Sequence, residues 1–238
     1  MYLIGQPRPL LPAELPQTAR PGSPALPPDY LEFLATYGYG EVNELLLFGP
    51  PDADHFRSTF SDCLDIWDWV PGSEALALAG TTVATTNDGD IVLAVAGSHP
   101  YLLMPRHATE PVLLPSLAAV LARYETTYAQ QGGQYFDPSF DWEQKHFDMA
   151  GEIVTRAPRL ARLHQEFLAT FRVDKSFNLE IQPKYVLQNM GGWVHFDLVY
   201  SSAVWVKYQA QFQAEAEAVI RFLAERLGNA TRSLAPVG

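Results

Sequence analysis

Leu26-Pro27-Pro28-Asp29-Tyr30-Leu31-Glu32-Phe33-Leu34-Ala35-Thr36-Tyr37-Gly38-Tyr39-Gly40 is the stretch on which the reading of the first half of this chain turns. Pro28 suits the first position of a helix, where a missing N–H leaves no hydrogen bond unmade. Tyr30, Leu31, Phe33, Leu34 and Tyr37 recur at helical spacing and share one face. Gly38 and Gly40 then end the run, because glycine takes a positive φ without a steric penalty. The spacing predicts a helix over 28–37. The next apolar run, Leu45-Leu46-Leu47-Phe48, is short and closed by Gly49-Pro50-Pro51, so it reads as a buried strand.

Working outward towards the C-terminus, a second helix is expected over about 54–69. Phe56, Phe60, Cys63, Leu64 and Trp67 form its apolar face, with Asp54, Asp62, Asp65 and Asp68 opposite. Those carboxylates read either as a solvated helix face or as part of an acidic docking surface. Strands follow at about 75–79, 81–86 and 90–95. Asn87-Asp88-Gly89 between the last two is a hairpin turn, since Asp and Gly tolerate left-handed backbone. Residues 101–104 and 112–114 read as two more short strands. Ser116 can cap a helix that turns Leu117, Val120, Leu121 and Tyr124 inward. Gln130-Gln131-Gly132-Gly133 breaks the pattern, and a domain boundary is expected between 128 and 140.

The rest of the chain begins with helical patterning over about 142–172, which Pro158 should divide or kink. Alternation returns at Phe177, Leu179 and Ile181 and again from Trp193 to about Tyr208. A last helix over about 213–227 ends at Gly228. The expected order of this smaller part is α-α-β-β-(β)-α. In the other direction, residues 1–28 hold eight prolines and read as an extended lead-in, with a short helical turn near Pro12 to Gln17. The expected divisions are a lead-in over 1–27, an acidic domain over 28–130 and a C-terminal domain over 140–238.

Charge is unevenly placed. The 238 residues carry a net −11. Residues 1–139 contain no lysine and five arginines against 16 acidic residues, so the entire excess lies there, while 140–238 are balanced. An acidic surface repels nucleic acid and anionic membranes and attracts basic partners; the same composition also serves solubility. With 47% apolar residues the chain can bury a substantial core. No apolar run reaches the ~18–20 residues that cross a bilayer. Met1-Tyr2-Leu3-Ile4 lacks the basic, then apolar, opening of a secretory signal. Cys63 is the only cysteine, which fits a reducing compartment, and a cytoplasmic location is expected.

No pattern that carries chemistry is complete. Gly38-Tyr39-Gly40 follows a helix and lacks both a third glycine and a phosphate-binding lysine. Asn87-Asp88-Gly89-Asp90 lacks the closing glutamate and flanking helices of a calcium loop. Glu143 and His146 have the Glu-x-x-His spacing of di-iron bundles, but no second pair exists. The six histidines show no paired ligand spacing, there is no Gly-x-Ser-x-Gly elbow, and Cys63 belongs to an apolar face. Arg156, Arg159 and Arg162 at i, i+3 and i+6 read as a solvated basic face, as packing against the acidic domain or as a hold on an acidic partner. Catalytic, metal and cofactor-binding residues are therefore expected to be absent.

Two segments carry a family resemblance. Leu26-Pro27-Pro28-Asp29-Tyr30-Leu31-Glu32-Phe33-Leu34 with Tyr37-Gly38-Tyr39-Gly40, and the later Asn87-Asp88-Gly89-Asp90-Ile91-Val92-Leu93, resemble the SUKH superfamily in its SMI/KNR-type branch; the helix from Leu117 to Tyr124 sits where that family places its closing helix. The resemblance covers residues 27–125. The proline-rich lead-in departs from it, and 140–238 resemble nothing nameable. It implies an α+β fold, a mixed or antiparallel sheet flanked by helices. It also implies a bacterial immunity protein that binds and neutralises a polymorphic toxin, without catalysis or cofactor. Pro27, Tyr30, Phe33, Leu34, Gly89 and Asp90 would serve folding. The expected partner is a protein, a basic toxin domain in particular, with no nucleic acid and no membrane. Glu41, Asp62, Asp65, Asp68 and Asp88 are the candidate interface residues. A regulatory scaffold joining two partners and an enzyme with a site between domains remain as alternatives, and the oligomeric state is open.

Overall fold

Helices and antiparallel strand pairs make up a computed structural model that describes residues 1–16, 23–127, 132–138, 141–180, 182–228 and 232–234; the class is α+β. The chain divides into two compact units. The N-terminal unit comprises Pro7–Ala129 with Phe136–Pro138. The C-terminal unit comprises Met1–Gln6, Gln130–Tyr135 and Ser139–Gly238, so its chain is interrupted by the other unit. No helix among the described residues is long and apolar enough to cross a membrane.

After the two-residue strand β1 (Tyr2–Leu3), which belongs to the C-terminal unit, the N-terminal unit opens on α1 (Pro28–Tyr37) with the bounds its spacing predicts. Next come β2 (Gly40–Val42), β3 (Leu46–Phe48), α2 (His55–Phe60), α3 (Ser73–Ala79), β4 (Thr81–Thr86), β5 (Ile91–Ala94), β6 (Tyr101–Met104), β7 (Val112–Leu114), α4 (Leu117–Thr127) and β8 (Tyr135–Pro138). Its sheet runs β8-β2-β3-β4-β5-β6-β7. Phe33 of α1 packs on the sheet, 4.5 Å from Phe48 and edge-on to Phe136 at 5.6 Å. Gly40 must be glycine, because the Phe136 ring and the Asp137 carbonyl occupy the space of a Cβ. The Asp29 carboxylate accepts hydrogen bonds from the Tyr101 hydroxyl (2.6 Å), from Tyr30 N (3.0 Å) and from Leu117 N (2.6 Å). It thereby joins the starts of α1 and α4 to β6. Ser116 caps α4 as expected, accepting from Ala119 N at 3.2 Å.

Three elements differ from the sequence reading. The helix expected over 54–69 stops at Phe60; one 3-10 turn, Leu64–Ile66, follows, and the chain is extended at Trp67. The cause is tertiary. The Trp67 indole N–H donates to the Pro105 carbonyl (2.9 Å) and that of Trp69 to the Leu64 carbonyl (2.7 Å), while Phe56, Phe60 and Trp67 form one aromatic cluster. Residues 75–79, expected as a strand, belong to α3. Ser73-Glu74-Ala75-Leu76-Ala77-Leu78-Ala79 alternates by size, but alanine and leucine are the strongest helix formers. Residues 142–148, expected as helix, form a strand.

That strand, β9 (Trp142–Asp148), opens the main run of the C-terminal unit. It is followed by α5 (Ile153–Thr170), β10 (Lys175–Phe177), β11 (Lys184–Leu187), β12 (Gly192–Phe196), β13 (Ala203–Gln209), α6 (Gln213–Leu227) and β14 (Arg232–Leu234). The order is β-α-β-β-β-β-α-β rather than α-α-β-β-(β)-α, in an antiparallel sheet β10-β11-β12-β13-β9-β14. Leu160, Leu163 and Phe167 of α5 and Val219 and Leu223 of α6 cover one sheet face, meeting Phe147, Val194, Phe196, Val204 and Val206. Pro158 does not divide α5. The bond it forgoes would go to the carbonyl of Val154, which is 73% exposed, so water can take its place. Ile4 is buried with Tyr135, Phe177, Val186 and Trp193. Gly5 N and Gln6 N donate to the side chains of Gln188 (2.8 Å) and Gln209 (2.9 Å). Leu179, expected in the alternating run, lies in a turn beyond β10. Gln17, residues 128–131, 139 and 140, and Ile181 lie outside the described residues, so the end of the expected Pro12 turn and part of the expected boundary do too.

Two outcomes follow from these contacts. Asp29→Ala leaves the fully buried Tyr101 hydroxyl without its acceptor and should cost about 3 kcal/mol in urea denaturation; a change within experimental scatter removes the role given to Asp29. His164 of α5 lies 2.5 Å from the Tyr185 hydroxyl, and burial lowers its pKa. The unfolded chain then takes up the proton first. The stabilisation is complete above about pH 6.5 and is lost as pH falls through the folded value. His164→Phe should flatten the decline of the urea midpoint between about pH 7.5 and 5.5; an undiminished decline places the acid sensitivity elsewhere.

Candidate partner-docking surface

The broken helix creates the most distinctive surface of the N-terminal unit. Residues 61–70 cannot fold back as helix once Trp67 and Trp69 have fixed their indole N–H groups. The segment is also tied to the loop after β6: Asp68 N donates to the Thr109 carbonyl (2.7 Å), and the Thr109 hydroxyl donates to the Asp68 carboxylate (2.6 Å). Across from it, β4 and β5 join through Asn87-Asp88-Gly89. Gly89 has φ +92°, the left-handed position that closes a three-residue hairpin loop. The stem of Arg106 lies over it, so a side chain at 89 would press on Arg106 Cγ. Asp90 accepts from Arg106 N (2.7 Å) and from the Tyr124 hydroxyl (2.9 Å), which fixes where the loop begins.

Between the segment, the loop and the turn is a groove of about 300 Å³, lined by Phe60, Ile66, Trp67, Gly89, Pro105 and Arg106, with His107 and Thr109 at the loop end. Its walls are aromatic and aliphatic. Ile66 is 41% exposed and neighbouring Val70 54%. Asp65 and Asp68 each adjoin a lining residue, Asp88 precedes Gly89, and Asp62 lies two residues beyond Phe60. All four are exposed. None of the four is itself a lining residue: Asp62, Asp65 and Asp68 belong to the segment that supplies Ile66 and Trp67, and Asp88 to the turn that supplies Gly89, on a loop and a turn rather than on a helix face. Glu41 is not among them: on β2 it stands opposite Leu47 and Asp137, away from the groove lining. Arg106 and His107 also line the groove, and neither was singled out in the sequence; nothing local marks the stretch from Pro105 to Thr109, which gains meaning only by meeting Trp67.

The other candidates are placed as follows. Cys63 is half-buried, with its thiol 3.6 Å from the Phe60 carbonyl. Glu143 and His146 lie on β9, where an odd separation puts them on opposite faces. Glu143 accepts from the Tyr208 hydroxyl (2.7 Å) and pairs with Lys145 (3.1 Å), and these contacts, Tyr208 first, hold its pKa below the usual carboxylate range. His146 stacks on Trp205 at 5.1 Å. Arg159 and Arg162 line a shallow concavity with Glu166 and Arg226, and Arg226 is already paired with Glu166 at 2.8 Å. Among the described residues no group of three or more His, Cys, Asp or Glu could hold a metal ion.

If the groove depends on the indole bond, Trp67→Phe should cost about 1–3 kcal/mol in denaturant unfolding. Asp62→Asn, at an exposed site, should stay within about 0.5 kcal/mol. A large loss from Asp62→Asn would show that this carboxylate serves the fold instead of the surface.

No family model matches the chain, and neither a curated protein nor a solved structure does; the geometry itself is therefore the ground for a functional reading.

Proposed function

We propose that the chain is a non-enzymatic protein-binding module of the immunity type, which neutralises a cognate polymorphic toxin by direct binding. The observation that carries this reading is the groove of the N-terminal unit with Phe60, Ile66, Trp67 and Pro105 in its walls, formed by the segment that holds the exposed Asp62, Asp65 and Asp68 and the turn that holds the exposed Asp88. Carboxylates on that segment and turn speed the approach of a basic partner and disfavour acidic ones. The apolar floor gives the contact its lifetime, because buried aromatic and aliphatic anchors supply most interface energy. A basic domain held there has its nucleic-acid surface or active site covered. The α+β class agrees with the SUKH resemblance of residues 27–125, and a cytoplasmic location belongs to the same proposal. A second reading, a scaffold for two partners, is favoured by one observation: each unit has a core of its own.

The test is affinity purification of the tagged chain from its native cells, in parallel with a variant carrying Asp62→Lys, Asp65→Lys, Asp68→Lys and Asp88→Lys. The expected result is a stoichiometric basic toxin domain whose recovery falls about tenfold or more in the variant and with rising salt. Equal recovery from both proteins sinks the site. Two stoichiometric partners, of which the variant loses one, establish the scaffold.

A further inference from the structure

The first six residues lie in the C-terminal unit as a peptide lies in a binding cleft. Two side-chain amides hold their backbone where a neighbouring strand would otherwise do so. Gln188 Oε1 accepts from Gly5 N (2.8 Å), and its Nε2 donates to the Leu3 carbonyl (2.6 Å). Gln209 Oε1 accepts from Gln6 N (2.9 Å), and its Nε2 donates to the Gln6 carbonyl (2.7 Å). Each amide thus meets one donor and one acceptor of the segment. Tyr2 N donates to the Gln134 carbonyl (2.8 Å) and Gln211 Nε2 to Gln6 Oε1 (2.9 Å).

Backbone contacts of this kind accept many sequences, and two side-chain positions narrow the choice to this one. Ile4 is fully buried in a socket of Tyr135, Phe177, Val186 and Trp193. Gly5 has φ +65°, and a Cβ there would stand 2.7 Å from Gln209 Oε1 and 2.8 Å from the Gly191 carbonyl oxygen, so only glycine fits. The cleft also calls for an occupant. Gln209 is 3% exposed, and an emptied cleft would take from its amide the backbone groups it bonds and bare the walls of the Ile4 socket. All of these contacts lie within the C-terminal unit, whereas from Pro7 the chain belongs to the other. Pro7 and Pro9 hold the chain extended just beyond Gln6, so a released segment projects as an arm.

We infer that this cleft receives the N-terminal segment of a second copy of the chain, so that two copies exchange residues 1–6 and form a dimer. The occupant is selected by Ile4 and Gly5, which a second copy carries by definition. In a reciprocal exchange each contact broken within one copy is remade with the other, so what opposes it is the lost independent motion of two molecules. Exchange therefore grows as the chain concentration approaches the effective concentration of the tethered segment. The inference does not rest on the docking groove.

The experiment mixes two full-length variants. Gly5→Val spoils the segment and leaves the cleft; Gln188→Ala with Gln209→Ala spoils the cleft and leaves the segment. Each alone should elute as a monomer in gel filtration with light scattering, and the mixture should give a one-to-one heterodimer whose share rises with concentration. A second measurement does not depend on either variant folding. A protease site inserted between Gln6 and Pro7 is cut after the protein has folded, and a fluorescent peptide of residues 1–6 is added. Saturable uptake is expected, with the Ile4→Ala and Gly5→Val peptides binding about tenfold or more weakly. A cut chain that loses its segment in gel filtration and takes up no peptide overturns the inference, as does equal uptake of all three peptides. Uptake of the peptide without a heterodimer from folded variants also overturns it, because the cleft then serves only closure within one chain.

Discussion

Helix α4 is held at both ends by carboxylates from distant parts of the chain, and the surface of the N-terminal unit depends on that clamp. Asp29 accepts from the first N–H of α4 and from the buried Tyr101 hydroxyl; Asp90 accepts from Tyr124, two turns further along, and from Arg106 N. Charged acceptors are well suited to this, because a hydrogen bond to a carboxylate is worth about twice one between neutral groups. The clamp also shapes the groove at one remove. By fixing Arg106 N, Asp90 fixes the loop whose Pro105 carbonyl receives the Trp67 indole, and that bond keeps the 61–70 segment out of a helix.

The elements legible in the sequence are those whose local preferences and tertiary surroundings agree. Pro28, a single apolar face and Gly38 define α1, and its bounds follow from them. Tyr101–Met104 and Val112–Leu114 are apolar runs between turn residues and needed no other information. The failures have different causes. Asp62, Asp65 and Asp68 keep helical spacing, yet two tryptophans with N–H groups to satisfy decide the backbone, and periodicity does not register a hydrogen bond to a carbonyl almost 40 residues away. Residues 142–148 conceal their strand because only Phe147 is fully buried among polar neighbours on both faces. For the candidate site, the carboxylates could be read as exposed, whereas the groove formed in part by their segments is assembled from three separate stretches.

The C-terminal unit shows the same economy with other chemistry. One face of its sheet is covered by α5 and α6. The other carries ring stacks, His146 on Trp205 and His195 5.0 Å from the same indole. Lys184 is almost wholly buried, its ammonium 2.9 Å from the Tyr135 hydroxyl and 4.2 Å above the Trp193 ring. A cation enclosed in this way is stabilised by the negative faces of the rings and confines Tyr135 and Trp193 to one arrangement.

The interrupted path of the C-terminal unit has a consequence for how the protein is made. Ile4, Gly5 and Gln6 leave the ribosome well before their partners Trp193, Gln188 and Gln209, which are synthesised more than 180 residues later. At about 5–20 residues per second, these three residues wait some ten seconds or more for those partners. The intervening unit, contiguous apart from three residues, can close in that interval, so Ile4, Gly5 and Gln6 stay unpaired while it folds, until the later strands are made.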